Sequence, residues 1–150
     1  MKKTVYIQRG LPGSGKSTRA KATKAKFEAL GFKVSIVSAD HFFEKTGSYT
    51  FIPSKLDEAH KECFTKFLDA MLTDDLVIVD NTNTRVWEFA NYIKVAKIAS
   101  ADIIVDEVKA ASADDVKAWH KRCIHNVPYD KMLLMFNRWE DYEDKFYIST

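Results

Sequence analysis

Thr4-Val5-Tyr6-Ile7-Gln8-Arg9-Gly10-Leu11-Pro12-Gly13-Ser14-Gly15-Lys16-Ser17-Thr18 is the stretch that decides the fold. Its first six residues favour an extended chain and stop at a glycine, as a buried opening strand does. Gly10 to Ser17 then match G-x-x-x-x-G-K-[ST] at every fixed position. Glycines there let the backbone wind so that successive N–H groups converge on phosphate oxygens, where a side chain would obstruct the approach. The helix expected from about Ser17 to Leu30 adds its unpaired N–H groups and the positive end of its dipole. Gly10, Leu11, Pro12, Gly13, Ser14, Gly15, Lys16, Ser17 and Thr18 are therefore the candidate nucleotide-binding residues. Lys16 reaches toward the β- and γ-phosphates, and the Ser17 hydroxyl is placed for Mg²⁺.

Working outward, Gly31 ends the first helix, and Lys33 to Ser38 read as a second strand. Ala39 to Pro53 carry no period and read as an aromatic-rich loop. Ser54 is the expected N-cap of a helix with apolar positions at Leu56, Ala59, Cys63, Phe64, Phe67, Leu68 and Met71. Leu76-Val77-Ile78-Val79-Asp80 is a continuous apolar run closed by a carboxylate, which suits a parallel strand covered on both faces. A helix from about Val86 to Ala99, a strand from about Asp102 to Val108, a helix capped by Ser112 and running to about Arg122, and a last helix opened by Pro128 and running to about Tyr142 complete the alternation. The fold class is α/β: a three-layer P-loop fold with a mostly parallel sheet flanked by helices. Residues 1–150 are expected to form one domain, with a helical lid over about 112–128.

Composition narrows the functional classes. The chain is 46% hydrophobic and 29% charged, enough for a full core, and its net charge of +2 is too small for a surface that tracks nucleic acid by charge alone. Cys63 and Cys123 have no metal-binding spacing, and the four histidines form no paired motif, so a structural zinc site is not expected. No apolar stretch approaches a membrane span, and Met1-Lys2-Lys3 leads straight into a strand, so a cytoplasmic protein without a membrane partner is the expectation. The Asn-Lys-x-Asp guanine reader of a GTPase is missing, and the chain is short for a motor ATPase. A small kinase using ATP and Mg²⁺ remains.

Three further positions bear on such chemistry. Asp40 follows the second strand at the carboxyl edge of the sheet, where it can take or orient the proton of an attacking hydroxyl. Asp80 ends its strand where a carboxylate would hold Mg²⁺, and Asn81, Thr82 and Asn83 just beyond it can orient an acceptor or simply form a turn. Arg122 enters a loop from a helix end, as a residue that stabilises charge on a transferring phosphoryl group or as a favourable end to the helix dipole. Phe42, Phe43, Tyr49 and Phe51 can stack on a base or anchor the loop. Trp87, Trp119 and Trp139 read as helix packing, and His60 as a surface or core-edge residue. Arg19 belongs to the solvated face of the first helix, close to the P-loop.

The combination of Gly10–Thr18, Ser38-Ala39-Asp40, Val79-Asp80-Asn81-Thr82-Asn83 and Lys121-Arg122 with Val127-Pro128 resembles the polynucleotide 5′-hydroxyl kinase domain of phage and animal end-repair enzymes. It is similar also to the kinase-like domain of the Nedd4-binding-protein-2 group, from Thr4 to about Trp139. The resemblance implies that Lys16 and Ser17 serve the phosphates and Mg²⁺, that Asp40 is the general base, that Asp80 and Asn81–Asn83 line the acceptor site, and that Arg122 is the lid arginine. It implies a nucleic acid or nucleotide as acceptor. Two positions depart from it: His41-Phe42-Phe43 follow Asp40 where an arginine is expected, and Ala118 stands one turn before Arg122. A hydroxymethyl group on a modified pyrimidine in DNA, a nucleoside-like metabolite, or a non-catalytic nucleotide-binding regulatory module are the alternative readings.

Overall fold

A computed structural model describes residues 2–45 and 47–150; Met1 and, within the expected loop, Thr46 lie outside the described residues. In chain order the elements are β1 (Thr4–Gly10), α1 (Lys16–Ala29), β2 (Val34–Val37), α2 (Asp40–Phe43), a 3₁₀ turn (Pro53–Lys55), α3 (Leu56–Thr73), β3 (Leu76–Asp80), α4 (Val86–Ile98), β4 (Asp102–Val108), α5 (Ala113–Lys121), α6 (Tyr129–Asn137) and β5 (Phe146–Tyr147). The sheet order is β2-β3-β1-β4-β5, parallel except where β5 pairs antiparallel with β4. The expected α/β architecture is the one observed.

Period-two alternation in the buried strands builds the layers. Leu76 and Ile78 of β3 meet Ala20 and Phe27 of α1 on one face. Val77 and Val79 face Phe67 and Met71 of α3, and Phe89 and Ile93 of α4, on the other. A separate apolar cluster joins Leu11 of the P-loop to Val116, Trp119, Met132 and Phe136, so α5 and α6 pack directly on the phosphate-binding turn.

Several local expectations need correction. Ser54 does not cap α3; it lies inside the 3₁₀ turn that precedes the helix. Leu56 and Leu68 are 42% and 40% exposed, and the buried stripe of α3 is Ala59, Cys63, Phe67, Ala70 and Met71. Part of the expected loop is helical, because α2 begins at Asp40. Trp87 is 76% exposed rather than packed. The last helix ends at Asn137, leaving Trp139 beyond it, and the chain then turns into β5. Ser112 does cap α5, its hydroxyl accepting from the Asp114 N–H at 3.3 Å.

Candidate active site

The sheet order fixes the site before any side chain is considered. β2, β3 and β1 are adjacent and parallel, so the residues after their carboxyl ends share one edge. Those residues are Asp40, Asp80 with its turn, and the P-loop.

The P-loop is a close-wound turn. The Ser14 N–H donates to the Leu11 carbonyl at 3.1 Å, and Gly13 and Gly15 have φ of 75° and 95°, the left-handed region. A Cβ on Gly10 would lie 2.6 Å from the Ser14 hydroxyl, so the cradle has no room for one. Lys16 and Ser17 open α1 and converge on Asp80. The Ser17 hydroxyl donates to Asp80 Oδ2 at 2.7 Å, and Lys16 Nζ lies 3.6 Å from Oδ1. Asp80 Oδ1 is buried and accepts no hydrogen bond. Thr18, beside them, is exposed.

The turn after β3 ties the halves of the site together. Asn81 accepts the Ala39 N–H on Oδ1 at 2.9 Å, which fixes the backbone immediately before Asp40. Its amide nitrogen is 3.6 Å from Cys63 Sγ, and the Tyr92 hydroxyl approaches the same sulfur at 3.3 Å. Burial, outweighing these contacts, pushes the Cys63 thiol up from its ordinary pKa. The Thr82 carbonyl accepts the Gly10 N–H at 3.1 Å. Asn83 is not brought to the site: it is 2% exposed, in the left-handed region at φ 48°, and its amide donates to the Gln8 carbonyl at 2.9 Å. It is a strut under β1.

Beneath this turn sits Arg9, which is fully buried. It donates to the carbonyls of Asn83 at 2.7 Å, Thr84 at 3.1 Å and Glu140 at 2.6 Å, and pairs with Glu107. Its guanidinium lies 4.9 Å from the Phe89 ring centroid and 4.1 Å from that of Trp139. Read along the sequence, Arg9 is one polar residue in a β-run, with nothing to mark it as the hub of three segments.

The segment between α5 and α6 reaches both halves. Arg122 Nε donates to the Gly13 carbonyl at 2.6 Å. Three residues on, His125 faces Asp40 Oδ2 with Nδ1 and Glu44 Oε1 with Nε2, each at 3.8 Å. The Tyr49 hydroxyl donates to Asp40 Oδ1 at 3.4 Å; burial, and then Asp40 itself, push its pKa well above the ordinary phenol value, so it stays a donor. Phe43 is buried with Phe42 against Ala39 and Ala59, an anchoring role. Arg19 pairs with Asp106 at 2.6 Å, and His60 is on the surface. Sequence reading did not single out His125, because a histidine in an unpatterned loop carries no signal until the loop is folded.

A strand, a glycine turn and a helix opening on Lys-Ser, with a carboxylate from the neighbouring strand against both, define a P-loop nucleotide-binding protein. The AAA domain family pattern matches residues 5–141, and the chain belongs to that family. It is 31% identical to human NEDD4-binding protein 2 over 93% of its own length, while spanning 8% of that much longer relative. The fold matches a chain in the structure of the Pnkp1/Rnl/Hen1 RNA repair complex with a TM-score of 0.74 at 20% identity, covering 99% of this chain and 49% of that one. It also matches Mycobacterium tuberculosis APS kinase CysC in complex with AMPPNP and APS, with a TM-score of 0.55 at 21% identity, covering 77% of this chain and 67% of that one. The resemblance read from the sequence thus holds at the level of family and kinase fold. Among the described residues no helix is long and apolar enough to cross a membrane.

Proposed function

We propose that this protein transfers the γ-phosphoryl group of ATP to a hydroxyl of a nucleic acid or nucleotide, most simply the 5′-hydroxyl of a polynucleotide. The observation that carries this reading is that one short lid segment touches the P-loop through Arg122 and the acceptor side through His125. Three residues span about 11 Å at most. A phosphate in the cradle and a hydroxyl at Asp40 therefore fall within the reach of one loop.

The side chains divide the work accordingly. Lys16 and the P-loop N–H groups hold the phosphates, and Arg122, releasing the Gly13 carbonyl, is close enough to meet charge developing on the transferring group. Asp40 orients the attacking hydroxyl and receives its proton, with Asn81 holding the Asp40 backbone in place. The unfilled Asp80 Oδ1 and the Ser17 hydroxyl are hard oxygen donors suited to Mg²⁺, which when bound supplies positive charge to the β- and γ-phosphates. Among the described residues no three His, Cys, Asp or Glu side chains gather as a metal site of their own. Ser17 and Asp80 would hold Mg²⁺ without such a cluster.

The likeness to a chain of an RNA repair complex supports a nucleic acid as acceptor, and the likeness to an APS kinase supports phosphoryl transfer. Incubating the protein with γ-labelled ATP and, separately, 5′-hydroxyl DNA, 5′-hydroxyl RNA, hydroxymethylpyrimidine DNA and free nucleosides tests the reading. Label on a 5′-hydroxyl oligonucleotide is the expected result. Label confined to a nucleoside or to modified DNA would overturn the polynucleotide assignment.

A further inference from the structure

Resting on that kinase reading, we propose that Tyr49 and His125 are the two jaws of an aromatic clamp that holds the planar base of the acceptor's terminal nucleotide beside Asp40. The rings come from separate parts of the chain: Tyr49 from the segment between α2 and the 3₁₀ turn, His125 from the lid loop between α5 and α6. They lie face to face, centroids 3.8 Å apart and planes within 5° of parallel.

That arrangement differs from the rest of the cluster. Phe43 meets Phe42, Tyr49 and Phe51 edge-on, at 80°, 65° and 61°, the geometry that aromatic cores favour. Parallel stacking is the geometry in which a flat heteroaromatic base is held, and Tyr49 and His125 already adopt it. Phe43 fixes Tyr49 from its edge, while the partner jaw rides on the lid, where Asn126 takes a left-handed φ of 52° directly after His125. Both imidazole nitrogens are 3.8 Å from their nearest carboxylates, beyond hydrogen-bond length. Stacking, rather than a hydrogen bond, seats the imidazole. Opening the jaws by one ring thickness exchanges one ring–ring contact for two ring–base contacts.

Position and charge agree with this occupant. The Tyr49 hydroxyl donates to Asp40 at 3.4 Å, so a base between the rings sits within one nucleoside of the carboxylate that takes the hydroxyl proton. Asp40 and Glu44 border the imidazole and repel an end that already carries a phosphate, whereas an uncharged hydroxyl and the N–H donors of a base are welcome there.

The test compares a 5′-hydroxyl oligonucleotide bearing its terminal base with the same oligonucleotide whose terminal residue is abasic, hydroxyl and backbone retained. Wild type is expected to favour the base-bearing end in kcat/KM by about 5- to 150-fold, the size of one base–aromatic stack. In Tyr49→Ala and His125→Ala that ratio falls toward one, while Tyr49→Phe and His125→Phe, which keep the rings and the packing, preserve it. Equal rates on the two ends in wild type overturn the clamp and leave the kinase reading intact. A higher rate in His125→Ala also overturns it, since His125 would then be a plug and not a jaw. A wild type that labels neither oligonucleotide overturns the polynucleotide assignment and the clamp together.

Discussion

Replacing Gly13 by alanine tests how the lid is seated. Gly13 has φ +75°, and a Cβ there would overlap the Trp119 carbonyl oxygen and lie 2.9 Å from its carbon. To reach ordinary contact the end of α5 must retreat by roughly 1 Å, and Arg122, which donates to the Gly13 carbonyl, retreats with it. Gly15 is the internal control: it too is left-handed, at +95°, but a Cβ on it meets nothing within 4 Å. Left-handed backbone costs an alanine about 1–2 kcal/mol at either position. Overpacking adds about 1–3 kcal/mol at Gly13 alone. For a chain of this length each kcal/mol lowers Tm by about 2–4 °C. Gly15→Ala should therefore melt about 2–8 °C below wild type and Gly13→Ala about 4–20 °C below it. Thermal melts followed by circular dichroism give the two shifts, and limited trypsin digestion reports cleavage after Lys121 and Arg122, which should quicken in Gly13→Ala only. Equal melting losses with unchanged cleavage would refute the claim that the lid rests on Gly13.

Four other substitutions probe separate parts of the molecule. Asp40→Asn keeps size and most hydrogen bonds but takes no proton, so turnover should fall by about two orders of magnitude while nucleotide affinity and Tm hold; turnover like wild type on the true acceptor removes Asp40 as base. If the guanidinium acts chiefly in the transition state, as proposed, Arg122→Ala should lower kcat far more than it weakens ATP binding; equal losses in kinetics and in ATP titrations make it a ground-state clamp instead. Arg9→Met strands the carbonyls of Asn83, Thr84 and Glu140 and leaves Glu107 with Lys145 alone, and should destabilise the fold by about 3–5 kcal/mol in urea titrations; a loss under 1 kcal/mol would show that the network contributes little. Asp74 is 3% exposed: burial pushes its carboxyl up, but the Ser35 and Thr73 hydroxyls and Lys33 outweigh that and hold it below the usual carboxylate range. Its contribution is present above about pH 4 and lost as pH falls further, so Asp74→Asn should flatten the acid side of a Tm–pH curve; an unaltered acid limb would dismiss it.

What could be read from the sequence follows the range over which each signal acts. The P-loop is local: eight consecutive residues define its own backbone path, so Gly10 to Ser17 were legible down to the placement of Lys16 and Ser17 at the helix start. Asp40 and Asp80 were legible as edge residues because strand ends are marked by where apolar runs stop. The β2-side aromatics were not, since Phe43 anchors against Ala59 of the next long helix and Tyr49 stacks on His125, far along the chain. Asn83 reads like its neighbour Asn81, yet a left-handed backbone turns one toward Gln8 and leaves the other to hold Ala39. Two-residue β5 has too little pattern to announce itself and exists because β4 offers it an edge. Ser54 and Trp87 show the opposite error, where a plausible cap and a plausible core residue were overruled by tertiary placement.

Arg122 and His125 stand three positions apart, one bonded to the P-loop turn and the other set against Asp40 and Glu44. A rigid movement of that loop carries both contacts with it. On the proposed kinase reading, the two substrates would then share a single latch. One small hinge would serve two doors.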